Sequence, residues 1–401
     1  MTAANPATAG SGAGRLQLHN RVLAALIAAG AAGALAVGFV TLAPNRLVSG
    51  RPIGFVVACG PHFAAGMTAL ALVLLAAAVV PPRPALHRTA AIIAAALFVL
   101  VLATAGHAAA SLAGAAPAAA RISLGAGFWV VLGASALAVI DGLQRAGTSP
   151  WERLMFAATL AASVLLMTRS GVFDSLSLAH EYWAHRQEFA AALVRHIVLV
   201  AAAVGPALAI GLPLGVAAAH RPKLQTPLFA VLNLLQTIPS IALFGLLIAP
   251  LSALAAAWPI LGSVGIGGIG MAPAIIALIL YALLPIVRNA AAGIAGVDPA
   301  ATEAARGMGM TARQLLWRIE LPLAVPLLLA GLRIVLVQTI GLAVVAALIG
   351  AGGLGTFVFA GLGQYATGLV LLGALPTIGL ALAADFLLQT VATLATGRLG
   401  R

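Results

Sequence analysis

A chain of 401 residues that is 62% hydrophobic and 7% charged, with a mean hydropathy of +1.11, does not fit water-soluble folding, because soluble domains carry about 25% charged residues. Lipid must face most of its surface, and the fold class expected is an all-α integral membrane protein. The net charge of +12 would suggest nucleic acid in a soluble protein, but orientation in a bilayer explains it here and no nucleic-acid partner is expected. The single cysteine, Cys59, excludes an internal disulfide and a cysteine-built zinc or iron–sulfur site; no metal is expected.

Crossing about 30 Å of hydrocarbon takes about 20 apolar residues as helix, and long Ala/Leu/Val runs replace the ten-residue alternation of a barrel. In chain order the runs predict about ten transmembrane helices: 22–43, 63–80, 89–110, 122–140, 152–169, 192–219, 226–250, 269–288, 323–349 and 366–392. The fifth has an uninterrupted apolar stretch, Leu154 to Thr168, that is short for a full crossing and leans on Trp151 as an interfacial anchor; without it half the topology would invert. With both termini cytoplasmic, the inner loops hold fourteen Lys or Arg residues, from Arg15 and Arg21 to Arg398 and Arg401. The outer loops hold six: Arg46, Arg51, Arg121, Arg169, Arg186 and Arg195. That asymmetry sets the orientation by the positive-inside rule, in a multi-pass protein of the cell (inner) membrane.

Residues 170–189 form the longest polar interruption and divide five helices from five. The domains expected are an N-terminal membrane region, 1–189, with no assigned role, a second module, 190–394, and a cytoplasmic tail, 395–401. The stretch from Glu181 to Arg195 has helical character and reads as a solvated amphipathic lead-in on the outer surface rather than as a docking element.

Several chemistries are missing. The only lysine, Lys223, follows no glycine run, so no phosphate-cradling loop exists to bind a nucleotide. Gly265–Gly270 and Gly350–Gly355 match G-x-G-x-x-G but lie in no strand–turn–helix unit; unwound backbone near the outer face or plain helix packing accounts for them. Ionisable groups within spans, the mark of an ion-driven carrier, are reduced to Arg333 and Asp385, whose depths differ by about one helical turn. An ion pair between the last two helices is expected, with a structural role or a transport role open.

Between the eighth and ninth spans lies the segment 297–322. Asp298-Pro299 reads as an N-cap and first helical residue, ending near Gly307 to Gly309, and Thr311 with Gln314 forms a capping box that opens a second short helix. Two short helices meeting at glycines make a stiff elbow suited to a partner's groove; an ordinary amphipathic surface loop is the alternative.

Glu303-Ala304-Ala305, then Gly309, Ile319 and Leu321-Pro322, at their spacing resemble the EAA loop of permease subunits in binding-protein-dependent ABC importers, and every motif position matches. The resemblance implies a five-helix type I permease core over roughly residues 190–394. It also implies a cytoplasmic coupling role toward an ATP-hydrolysing subunit for Glu303, Ala304, Ala305, Gly309, Ile319, Leu321 and Pro322. ATP and Mg would sit on that ATP-binding subunit, with no cofactor and no catalysis on this chain. Further partners implied are a second permease copy or paralogue, a periplasmic or extracellular solute-binding protein, and the lipid bilayer. QTIPSIALFGLL (236–247) and IGAGGLG (349–355) are similar to permeases of glycine betaine, choline and carnitine importers, which implies an osmoprotectant as solute; another small solute, or an ATP-independent carrier, is the alternative.

Pro239 and Pro285 interrupt helical hydrogen bonding and could line or hinge a path, with Gln236, Thr237, Ser240 and Tyr281 as polar lining; kinked packing is the alternative. Aromatic residues that could face a quaternary ammonium are Phe244, Tyr281, Phe357 and Tyr365, and the selective cage is expected on the binding protein.

Overall fold

The computed structural model describes residues 17–399 apart from 46, 47, 49, 118 and 264, with side chains described to residue 394. Arg15, Arg46 and Arg401, and the side chain of Arg398, therefore lie outside the described residues. The chain divides into two compact units, Met1–Ser177 and Leu178–Arg401. Among the described residues nine helices are long and apolar enough to cross a membrane.

The first unit contains helices α1 (Arg21–Ala36), α2 (Phe55–Val79), α3 (Pro84–Ala115), α4 (Ala126–Arg145) and α5 (Pro150–Arg169), with strands β1 (Val40–Ala43), β2 (Arg51–Ile53) and β3 (Arg121–Leu124). The expected first span, 22–43, is corrected: the helix stops at Ala36 and is too short for the nine. Val40 pairs with Ile53 and with Leu124 in an antiparallel sheet of order β2-β1-β3. Hydropathy alone does not separate a short apolar strand from a helix end. Phe39, fully buried beside β1, meets the edges of the Phe55 and Phe128 rings and anchors the sheet on the helices. The second helix begins earlier than expected, at Phe55, and bends at Gly60-Pro61, where Gly60 takes φ +69°. α5 spans its full twenty residues behind a Ser149/Glu152 capping box yet buries none of them within its unit.

The second unit starts one residue into α6 (Ser177–Ala184) and continues with α7 (Arg186–His220), α8 (Pro222–Thr237), α9 (Ser240–Ala257), α10 (Pro259–Ser263), α11 (Met271–Ala295), α12 (Pro299–Gly307), α13 (Ala312–Leu315), α14 (Leu321–Val345), α15 (Gly355–Gly363) and α16 (Thr367–Leu399). Its core is α11, flanked by α7 and α14. Small residues set that spacing: a Cβ on Gly215 of α7 would stand 2.9 Å from the Val287 carbonyl of α11, and one on Gly331 of α14 would stand 2.6 Å from the Asn289 Cβ. Close backbone approach of this kind lets dispersion drive helix association where lipid offers no hydrophobic gain.

Two expectations change here. The lead-in is not simply solvated, because Glu181 is buried and Phe189 packs on Phe357 and the start of α16. The span expected over 226–250 is broken, because Pro239 has no N–H to donate and holds Ile238 in extended conformation at ψ 125°.

Candidate functional site

The elbow is built from its caps. The Asp298 carboxylate accepts from the Ala300 N–H at 2.9 Å, closing the open end of α12. At the other end the Gly309 N–H donates to the Arg306 carbonyl at 2.9 Å and the Met310 N–H to the Ala305 carbonyl at 3.1 Å. These are the paired bonds of a Schellman stop, which needs a left-handed residue after the cap; Gly309 supplies it at φ +78°. The motif glycine thus has a backbone reason. Thr311 and Gln314 complete their capping box, with N–H bonds of 2.9 and 3.3 Å.

The second helix is not short, as expected, but continuous with the membrane span. α13 passes through a π-turn, Leu316–Glu320, into α14. Pro322 cannot donate to the Arg318 carbonyl, and the wider π-turn one step upstream absorbs the misfit without a break. The elbow is therefore welded to α14. Glu320, its side chain only 6% exposed, accepts from the His220 ring at the end of α7, Nε2 to Oε1 at 3.2 Å, and ties the π-turn to the core.

Of the motif side chains, Glu303 and Ala304 are exposed, Ala305 is buried, and Ile319, Leu321 and Pro322 are half-buried. Met308 and Trp317 are 70% and 64% exposed beside them. The sequence reading passed over both, although a large apolar residue on a charged elbow is the signal that could have found them.

At the α8–α9 break, the Gln236 amide donates to the Tyr281 carbonyl at 2.9 Å, and the Tyr281 hydroxyl donates to the Ile238 carbonyl. Each bond fills a vacancy left by a proline. Pro285 deprives the Tyr281 carbonyl of its helical donor, and the break at Pro239 leaves the Ile238 carbonyl open. Gln236 and Tyr281 thus latch the break from both sides, while Thr237 bonds back to the Leu234 carbonyl at 2.7 Å and Ser240 opens α9. Among the aromatics, Phe244, Tyr281 and Phe357 are buried and Tyr365 is exposed.

Arg333 and Asp385 face each other across α14 and α16: Nε bonds to Oδ1, and Nη2 to Oδ2 at 2.7 Å, a bidentate pair. At the far end of α14 from the elbow, a turn of 3-10 helix, Ala346–Ile349, leads into Gly350, Gly352 and Gly353, all at positive φ. Arg195 Nε donates to the Ala351 carbonyl at 2.7 Å, and the fully buried His196 meets the Ile340 carbonyl through Nε2 at 3.1 Å. In the sequence Arg195 reads only as a loop charge, and nothing local ties it to a loop 156 positions away.

Against known families, residues 211–394 match the binding-protein-dependent transport system inner membrane component, and residues 19–179 match the N-terminal domain of the ABC transporter permease YehY. The osmoprotectant import permease protein OsmW of Salmonella typhimurium is 42% identical over 202 residues, covering 50% of this chain and 89% of that protein. The carnitine transport permease protein OpuCB of Listeria monocytogenes is 40% identical, covering 48% of this chain and 82% of that protein. The choline transport system permease protein OpuBD of Bacillus subtilis is 37% identical, covering 48% and 79%. Among solved structures, a chain of the inward-facing MetNI methionine ABC transporter aligns at 24% identity with a TM-score of 0.46, covering 53% of this chain and 98% of that one. A motif loop capped at both ends and fused to a membrane helix, in a unit that matches permeases over most of their length, places the chain in the family of binding-protein-dependent ABC importer permeases.

Proposed function

We propose that the chain forms the membrane path of an ATP-driven importer for a small osmoprotectant of the glycine betaine, choline or carnitine class, the solutes named in its relatives, among them a glycine betaine/carnitine/choline transport system permease of Bacillus subtilis. The observation that carries the mechanism is the weld between elbow and α14. A separate ATP-binding subunit, holding ATP and Mg, grips the elbow at Glu303, Ala304, Ala305 and Gly309, with Met308 and Trp317 as apolar anchors. Ile319, Leu321 and Pro322 carry the push through the π-turn into α14, because a continuous helix transmits displacement that a loop would absorb. Nucleotide binding then biases the core between inward- and outward-open states. The latched break at Gln236, Thr237, Pro239, Ser240 and Tyr281 serves as a hinge beside the path. A second copy or a paralogue completes the path, an external binding protein delivers the solute, and the elbow and both termini lie in the cytoplasm.

Reconstitution with the ATP-binding subunit and binding protein in proteoliposomes tests this reading. ATP-dependent uptake of glycine betaine or choline is expected, with a loss of at least tenfold on Glu303→Lys while the permease still assembles in the membrane. Uptake undiminished without ATP would reject the mechanism.

A further inference from the structure

The Arg333–Asp385 pair sits where ionic groups are hardest to keep. Arg333 lies twelve residues from either end of α14, about 18 Å along its axis in each direction. The two side chains are nevertheless 39% and 31% exposed in the isolated chain. Two cavities adjoin at Arg333 and Ala330, one of 560 Å³ reaching Gln338 and Asp385, the other of 210 Å³ reaching Gln389 and Thr393. Together they form a furrow along α14 and α16, and Gln338, Arg333, Asp385, Gln389 and Thr393 give it a polar stripe on largely apolar helices, where Thr377 and Thr390 bond back into α16. Charged groups at a helix centre cost about 2.5–3.5 kcal/mol each against hydrocarbon, so they face protein or water. By that cost the furrow belongs against protein or water rather than lipid.

We propose that the furrow is a water-filled wall of the solute path and that Arg333 and Asp385 are its reading station for a zwitterion, a solute carrying a carboxylate and a cationic end in one small molecule. The inference rests on the proposed transport of such solutes. The guanidinium's two donors toward Asp385 are the fork that a solute carboxylate would take, and the released Asp385 carboxylate would receive the cationic end. One ion pair becomes two, and no charge stands unpaired at any stage. Once the solute moves on, Arg333 and Asp385 close on each other again. A cation lacking a carboxylate has nothing to offer Arg333 and leaves the pair shut.

The assembled importer in proteoliposomes, on a Cys59→Ala background, provides the test in two arms. In the first, Arg333→Gln should raise the betaine KM at least tenfold and change the choline KM less than about twofold. Arg333→Lys and Asp385→Asn serve if that variant does not assemble. Equal shifts for both solutes would make the pair a structural clasp and overturn the proposal. In the second arm, a cationic thiol reagent should modify Gln338→Cys and Gln389→Cys but not Leu387→Cys, which is 62% exposed on the opposite side of α16. Betaine should slow the furrow reactions more than equimolar choline does. Inert furrow cysteines, or equal protection, would also overturn the proposal. Because labelling needs no ATP, it decides the furrow's role even if wild-type uptake proves independent of ATP and the importer reading falls.

Discussion

At one end of α14 the elbow takes its shape from bonds between residues at most five positions apart; at the other the glycine loop adds distant ties to a local turn of Gly350 and Ala351 on the Ala347 and Ala346 carbonyls, with Arg195 on the Ala351 carbonyl, 156 positions away, and His196 beneath Gly353, bonded to the Ile340 carbonyl of α14, 144 positions away. Among the described residues, the elbow's one distant hydrogen bond within the second unit is His220 to Glu320. The contrast suits two mechanical jobs. On the proposed coupling role, a lever gripped by a partner needs stiffness that survives while the core changes shape, and local capping would supply it. A loop whose local turn is tied in addition to distant residues is held when those helices are in register and loses those ties when they slide, which would suit a gate.

His196→Ala should give the largest effect on this contrast. The substitution removes the Ile340 bond, empties a fully buried site beneath Gly353, and should cost about 3 kcal/mol, read as a lower unfolding midpoint of the purified permease in detergent. On the proposed coupling role, the elbow's affinity for an ATP-binding subunit should stay unchanged. A loss under about 1 kcal/mol would show that His196 adds little to this end of α14, leaving the loop to Arg195, Gly270 and its own turn, and would weaken the contrast between the two ends.

Gly309→Val should come next, at about 2 kcal/mol, because a β-branched residue at φ +78° is strained whatever space surrounds it. The cost should fall on the elbow alone: faster proteolysis between residues 307 and 311 and a loss of uptake, with the core's midpoint nearly unmoved. Gly309→Asn, which tolerates the left-handed region better, should recover most of the activity. If the core melts with the elbow, local capping is not what isolates the lever.

These two sites also show what could be read from residues alone. Asp298, Thr311, Gln314 and Gly309 announce their caps because the partners are a few positions away and the chemistry is fixed by residue type. The π-turn was invisible, since Leu316–Glu320 looks like any amphipathic helix and only Pro322, one step on, hints at the misfit. The Gln236–Tyr281 latch required knowing that α8 and α11 are neighbours; Pro239 and Pro285 marked the vacancies but not what would fill them. The strand at Val40 was lost for a different reason, because a run of apolar residues carries the same hydropathy as helix or as strand.

The smallest effect should come from Thr311→Ala, and it is the sharpest test of locality. The hydroxyl caps the Gln314 N–H at 3.3 Å and the Gln314 side chain returns to the Thr311 N–H at 2.9 Å, so removing it should cost about 1 kcal/mol at the start of α13. Thr311→Ser keeps the oxygen and should be nearly silent. Asp298→Ala should cost a similar amount at α12, and the double variant should sum within about 0.5 kcal/mol, because the two caps share no hydrogen-bond partner. The measurement is hydrogen exchange of the elbow amides in the assembled permease. A coupling well beyond that figure would mean that the two arms fold as one body with the core, and that the elbow, like the glycine loop, depends on distant partners.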